Sequence, residues 1–173
     1  MNVIQKPNEG EYAPYAIIYI DQVPDDGLVV HHLQDNLKAV QTLVLSFPPE
    51  RLTSRWADGE WTIKEILVHI MDTERIFCYR ALRFARNDDT ELPGFEQDDY
   101  VPYTQANKRK IADILEEYSA VRQATITFFN SFVEETLTRA GIVSGQRVSV
   151  RALASMIAGH ELHHLDSIKE NYL

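Results

Sequence analysis

The chain has 173 residues, the size of one ordinary domain, and with 45% hydrophobic and 25% charged residues its composition excludes disordered, collagen-like and fibrous classes. A net charge of −9 argues against a nucleic-acid partner. A single cysteine, Cys78, excludes an intramolecular disulfide and any cysteine-based zinc cluster and suits a reducing cytoplasm, so six histidines dominate any metal argument.

In chain order, the first 15 residues lack the apolar run and small-residue cleavage site of a signal peptide, and the apolar stretch from Tyr15 to Ile20 is too short to span a bilayer. Residues 1–25 read as an irregular arm whose Tyr12, Tyr15, Ile17, Ile18 and Tyr19 pack over a domain spanning 26–173. A first helix is predicted from Leu28 to Phe47, with Asp25 or Asp26 as N-cap, Val30, Leu33, Leu37, Val40 and Val44 as its apolar line, and Pro48-Pro49 as its stop. A second runs from Thr62 to about Arg86 through Ile63, Ile66, Leu67, Ile70, Phe77, Ala81 and Phe84, and Thr62 with Glu65 has capping-box spacing.

Residues 87–99 hold six acids, no Lys or Arg, and the turn pair Pro93-Gly94, which marks a solvated crossover or a lid. Without those six acids the rest of the chain carries only −3, so the net charge does not exclude an anionic substrate. A third helix is predicted from Thr104 to Phe132, with Ile111, Ile114, Leu115, Tyr118, Val121, Thr125, Phe128 and Phe132 inward. Gly141 and Gly145 interrupt the chain, and a fourth helix runs from Val150 to Asn171 with Ser149 as N-cap. Sustained strand alternation is absent. The fold class is therefore all-α: a four-helix bundle with a long connection between the second and third helices that can run along the bundle as a crossover.

On the fourth predicted helix His160 and His164 are four residues apart, on the line of Leu153 and Ile157, so both point toward the core and can grip one ion. Pairs at this spacing also sit solvated on exposed helices. A third ligand should come from a facing helix, and His69, at the border of the second helix's apolar face, is the candidate. Taken alone it reads equally as a boundary histidine bonded to a carbonyl. His163 faces away as a solvated or supporting residue, and His31 and His32 are expected at the surface. His160, Glu161 and His164 formally match the zinc-protease pattern H-E-x-x-H, in which the glutamate is a general base. Only nine residues follow His164 to supply that motif's third ligand, so Glu161 reads as a polar flank of the site, with water activation as its alternative role.

Glu74 falls within an apolar face and calls for a partner such as an inward arginine. Arg80 lies on the His69 side of its helix, where it can meet the anionic end of a substrate or form a salt bridge. Trp56 and Trp61 read as packing residues, and Cys78 as a small core residue.

The run Trp61-Thr62-Ile63-Lys64-Glu65-Ile66-Leu67-Val68-His69, its continuation through Arg75, Tyr79 and Arg80, and the later Gly159-His160-Glu161-Leu162-His163-His164 together resemble the DinB/YfiT-like superfamily of metalloenzymes. That resemblance implies a four-helix bundle with a crossover and a histidine triad, here His69, His160 and His164, holding a divalent metal, commonly zinc or nickel. It also implies a thiol-dependent S-transferase, with a low-molecular-weight thiol such as bacillithiol, mycothiol or glutathione as co-substrate. The mycothiol-dependent maleylpyruvate isomerase is another member. Three neutral imidazoles leave a coordination position for water or substrate. The alternatives are a metal-dependent hydrolase and a non-enzymatic bundle that binds a metal or ligand or dimerises through a helix face. The expected partners are a small-molecule substrate and a second copy of the chain, with neither nucleic acid nor membrane.

Overall fold

The computed structural model describes residues 2–173. Its elements in chain order are α1 (Ile17–Ile20), α2 (Val29–Leu45), α3 (Ile63–Ala85), α4 (Gln97–Tyr100), α5 (Ile111–Asn130), α6 (Glu134–Thr138), β1 (Ala140–Val143), β2 (Gln146–Ser149) and α7 (Val150–Tyr172). The four long helices α2, α3, α5 and α7 form the expected bundle.

Two of the predicted caps are made as the sequence implies. The Thr62 side chain accepts the Glu65 N–H while the Glu65 carboxylate accepts the Thr62 N–H, and Ser149 accepts the Ala152 N–H at the start of α7. The N-cap of α2 is Leu28 rather than Asp25 or Asp26, but Asp26 accepts the Leu28 N–H at 2.8 Å and pairs with His32, so it still ties down that end. The third long helix starts at Ile111, not Thr104. Pro102 and a left-handed Gln105 divide the preceding stretch into two 3-10 turns, Val101–Tyr103 and Ala106–Lys108.

Around the bundle α2 neighbours α5 and α7, and α3 neighbours the same two, so α2 and α3 are diagonal, as are α5 and α7. Cross-helix bonds fix the directions. Lys64 reaches Arg109, Arg75 reaches Glu117 and Cys78 meets Thr125, so α3 and α5 run parallel. Gln41 bonds Ser119 while Arg122 bonds the Leu33 carbonyl, so α2 and α5 are antiparallel. Parallel neighbours require a return path, and residues 86–110 supply it along the length of the bundle.

That crossover is more structured than a solvated loop. Leu92 is buried and exchanges backbone hydrogen bonds with Ile142 and Ser144 of a small antiparallel hairpin, β1–β2. Among the described residues this hairpin is the single sheet, added to an all-α bundle. Its two-residue turn is Ser144-Gly145 with φ of 47° and 76°, the conformation that matches strand twist, and strands of four residues are too short to leave an alternation in the sequence.

The N-terminal arm packs on the bundle through a different set of residues than expected. Ile4, Ala13, Ala16 and Ile20 are buried, Tyr12 and Tyr19 are partly so, and Tyr15, Ile17 and Ile18 face outward. The Ser149 N–H donates to the Glu11 carbonyl, and Arg151 pairs with the Glu11 carboxylate. At the crossing of α1 with α7, Gly159 leaves room for the arm backbone: a Cβ there would lie 2.0 Å from the Tyr19 carbonyl oxygen.

Two apolar clusters fill the two ends of the bundle. Between them lies a polar layer on α3, α5 and α7. Arg122, fully buried, donates all five N–H groups: to the Glu74 carboxylate at 3.0 and 2.9 Å, to the Glu161 carboxylate at 3.0 and 2.9 Å, and to the Leu33 carbonyl at 2.7 Å. Tyr118 donates its hydroxyl to Glu161. The inward arginine that Glu74 calls for is thus Arg122, whose apolar-face neighbours Ile126 and Phe129 are buried while the predicted Val121 and Phe128 are only partly so.

Candidate metal centre

His69 on α3 and His160 and His164 on α7 converge on one point. The Nε2 atoms of His69 and His160 are 3.0 Å apart, and those of His160 and His164 are 3.1 Å apart. Zinc held at 2.0–2.1 Å by tetrahedral imidazoles sets ligand nitrogens about 3.3 Å from one another, so this spacing fits a shared divalent ion closely. Among the described residues no fourth His, Cys, Asp or Glu joins the group.

Helix geometry explains the convergence. His160 and His164 are one turn apart on α7, and the antiparallel α3 presents His69 from across the interface. Burial pushes the His69 imidazole down to about 4. Burial, and then its two neighbours' charges, hold His164 at about 3; His160 is driven well below its ordinary value mainly by burial. All three are therefore neutral at pH 7, with lone pairs available, which is the ligand form.

Aromatic rings hold the imidazoles in place. Trp61 lies 4.8 Å from His69 and stacks at 6.4 Å on His164, while Tyr19 meets His160 edge-on at 5.3 Å. Trp61 is thus a wall of the site rather than packing alone, and its place just before the capping box of α3 was the available signal. Trp56 is about half exposed and does not pack as expected. His163 is exposed and touches Tyr19; His31 is exposed and His32 half-buried against Asp26, as their surface reading required.

Glu161 is not at the site. It is fully buried, and its two carboxylate oxygens are committed to Arg122 and Tyr118, which leaves none for the alternative role of activating water. One residue past His160 is about 100° around the helix, so the two side chains leave α7 on different faces. Cys78 is likewise absent from the site: burial pushes its thiol up to about 12 and it meets Thr125.

Two cavities flank the histidines. One, of about 400 Å³, opens at His160 and is walled by Tyr19, Thr73, Phe77, Phe95 and Arg80. The other, of about 370 Å³, reaches His164 beside Trp61. Asp98, on α4 of the crossover, borders both, so the acidic segment forms part of the rim. Arg80 is buried on the wall of the first cavity, on the His69 side of α3, as helical phase requires.

A bundle of this crossover topology with three facing imidazoles beside open cavities defines a class of metal-binding helical proteins. A model of the DinB superfamily matches residues 32–168, and the chain belongs to that family. It is 24% identical over 158 residues to a protein of Oceanobacillus iheyensis named "Putative metal-dependent hydrolase", covering 86% of this chain and 89% of that one. Its fold is similar to YfiT from Bacillus subtilis, described as a probable metal-dependent hydrolase with an unusual four-helix bundle topology (TM-score 0.76, 12% identity, 84% of this chain and 85% of that one). It is also similar to the mycothiol-dependent maleylpyruvate isomerase, with a TM-score of 0.64 and 9% identity, covering 84% of this chain and 61% of that one. Among the described residues no helix is long and apolar enough to cross a membrane.

Proposed function

We propose that this protein is a metal-dependent enzyme in which His69, His160 and His164 hold one divalent ion, zinc or nickel, and that the ion presents a nucleophile to a small-molecule substrate. The observation that carries this reading is the convergence of three neutral Nε2 atoms with no fourth ligand among the described residues, beside a cavity large enough for a substrate. When bound, such an ion acts as a Lewis acid and lowers the pKa of a coordinated water or thiol.

The chain's own residues do the rest. Trp61 and Tyr19 orient the imidazoles, and Thr73, Phe77 and Arg80 shape the substrate wall. Among the described residues no carboxylate belongs to the ligand group, and the nearest acids in the cavities, Glu96 and Asp98, are exposed rim residues, an arrangement suited to a nucleophile that would need no buried base. A thiol meets that condition most readily, and this supports thiol-dependent S-transfer with a low-molecular-weight thiol as co-substrate. The second reading, hydrolysis, is favoured by the names of the Oceanobacillus iheyensis relative and of YfiT. Assays of the metal-loaded protein on activated electrophiles and esters, with and without glutathione, bacillithiol or mycothiol, separate the two. Turnover that depends on the thiol supports transfer, and turnover in water alone supports hydrolysis. Absence of both across metal-loaded preparations would favour a non-enzymatic bundle.

A further inference from the structure

We infer that Arg80 is the anion-recognition end of the cavity that opens at His160, so that this cavity takes a small, largely apolar organic molecule carrying a carboxylate. The inference rests on reading the three histidines as the reactive end of the same cavity. Along α3, His69, Thr73, Phe77 and Arg80 follow one another at steps of four, four and three residues, a single helical stripe from the metal ligands to the guanidinium.

Arg80 is only 7% exposed, yet among the described residues no carboxylate lies within 4.0 Å of it, and it makes one hydrogen bond, from Nη2 to the Pro93 carbonyl at 3.0 Å. Phe77 and Phe95 lie against the guanidinium at 5.6 and 5.7 Å. Glu96 and Asp98 also line the cavity, but they are exposed and make no ion pair with Arg80. The contrast with Arg122 is direct: one buried arginine has every N–H matched by the protein, and the other leaves most of its fork toward a cavity. A buried cation without a counter-ion is unfavourable, and a carboxylate ligand would supply two parallel N–H···O bonds.

A second, independent group points the same way. Thr73 lines the cavity midway along the stripe, and its buried hydroxyl has no hydrogen-bond partner. A polar atom of a ligand held between the histidines and Arg80 would satisfy it. Leu153, Met156 and Val148 give the wall an apolar side, and Gln97, Ser144 and Gln146 line it as well.

The test compares 3-phenylpropionate with its uncharged amide by isothermal titration, using the protein as purified. The acid should bind at least about tenfold more tightly than the amide. Arg80→Met should remove that preference while leaving the melting temperature and metal content near those of the wild type. Should Arg80→Met fail to fold, Arg80→Gln, which keeps a donor for Pro93, carries the same expectation. Equal binding of acid and amide, or an acid preference that survives in the Arg80 variant, would overturn the assignment. A preference that survives in the variant but disappears on chelation would place the carboxylate on the metal and overturn it equally. An intact acid preference in a protein that takes up no metal would uphold the Arg80 site and sink the metal reading; bound metal without any preference would do the reverse.

Discussion

At the scale of single residues, the site depends on which polar groups the protein satisfies and which it leaves open. Arg122, Glu74, Glu161 and Tyr118 form a closed network with no donor of Arg122 left over. Burial opposes the Arg122 charge, and the two carboxylates outweigh it and hold its pKa well above the ordinary value. Arg122→Met would leave both carboxylates buried without a cation and should cost about 3–5 kcal/mol of stability, read from the urea midpoint. A loss below about 1 kcal/mol would mean that the carboxylates find other partners. His163→Ala, by contrast, should leave metal uptake unchanged, because this exposed histidine stands outside the converging set.

The convergence of the three histidines was legible from helical phase: a four-residue step on one helix and a boundary histidine on another pick out the three side chains that meet. The Arg122 network was less so. A lone arginine among apolar neighbours reads as a surface residue until its partners on three other helices are known, and only Glu74 signalled that one was needed. The partners of Glu161 were hidden for the same reason, since a sequence motif does not show to which side a carboxylate turns.

At the scale of elements, the arm and α7 are coupled at the site's edge. Gly159, next to His160, lets α1 cross α7 with the Tyr19 backbone against it. Gly159→Ala would require the arm to shift, taking Tyr19 off His160, and should destabilise the protein by about 1–3 kcal/mol despite the better helix propensity of alanine. Metal affinity should fall with it, as followed by zinc titration. An unchanged melting temperature would show that the arm yields freely. The long helices were readable because their apolar periods hold over 17 to 23 residues, reinforced by side-chain caps at the starts of α3 and α7. The hairpin, the 3-10 turns before α5 and the arm's buried set were not, since each is only three or four residues long and is fixed by tertiary contacts rather than by local pattern.

At the scale of the whole molecule, parallel α3 and α5 joined by a crossover bring the helix that carries His69 against the one that carries His160 and His164, and lay the acidic segment along the cavity rim. Burying three imidazoles at the centre has a pH consequence. Without metal their folded pKa values lie below the unfolded value near 6.5, so the unfolded chain binds more protons below that pH. Their contribution to stability is complete above about pH 6.5 and is lost as pH falls toward about 4 and below. The urea midpoint of chelator-treated protein should therefore drop between pH 7 and pH 5, and His69→Leu should flatten that slope; equal slopes would contradict the assignment.

The most direct test of the account is titration of zinc into chelator-stripped protein, with the wild type and His160→Ala/His164→Ala run side by side. One ion per chain is expected in the wild type and none at comparable affinity in the double variant. No uptake by folded wild-type protein, or the same uptake by both, would contradict it.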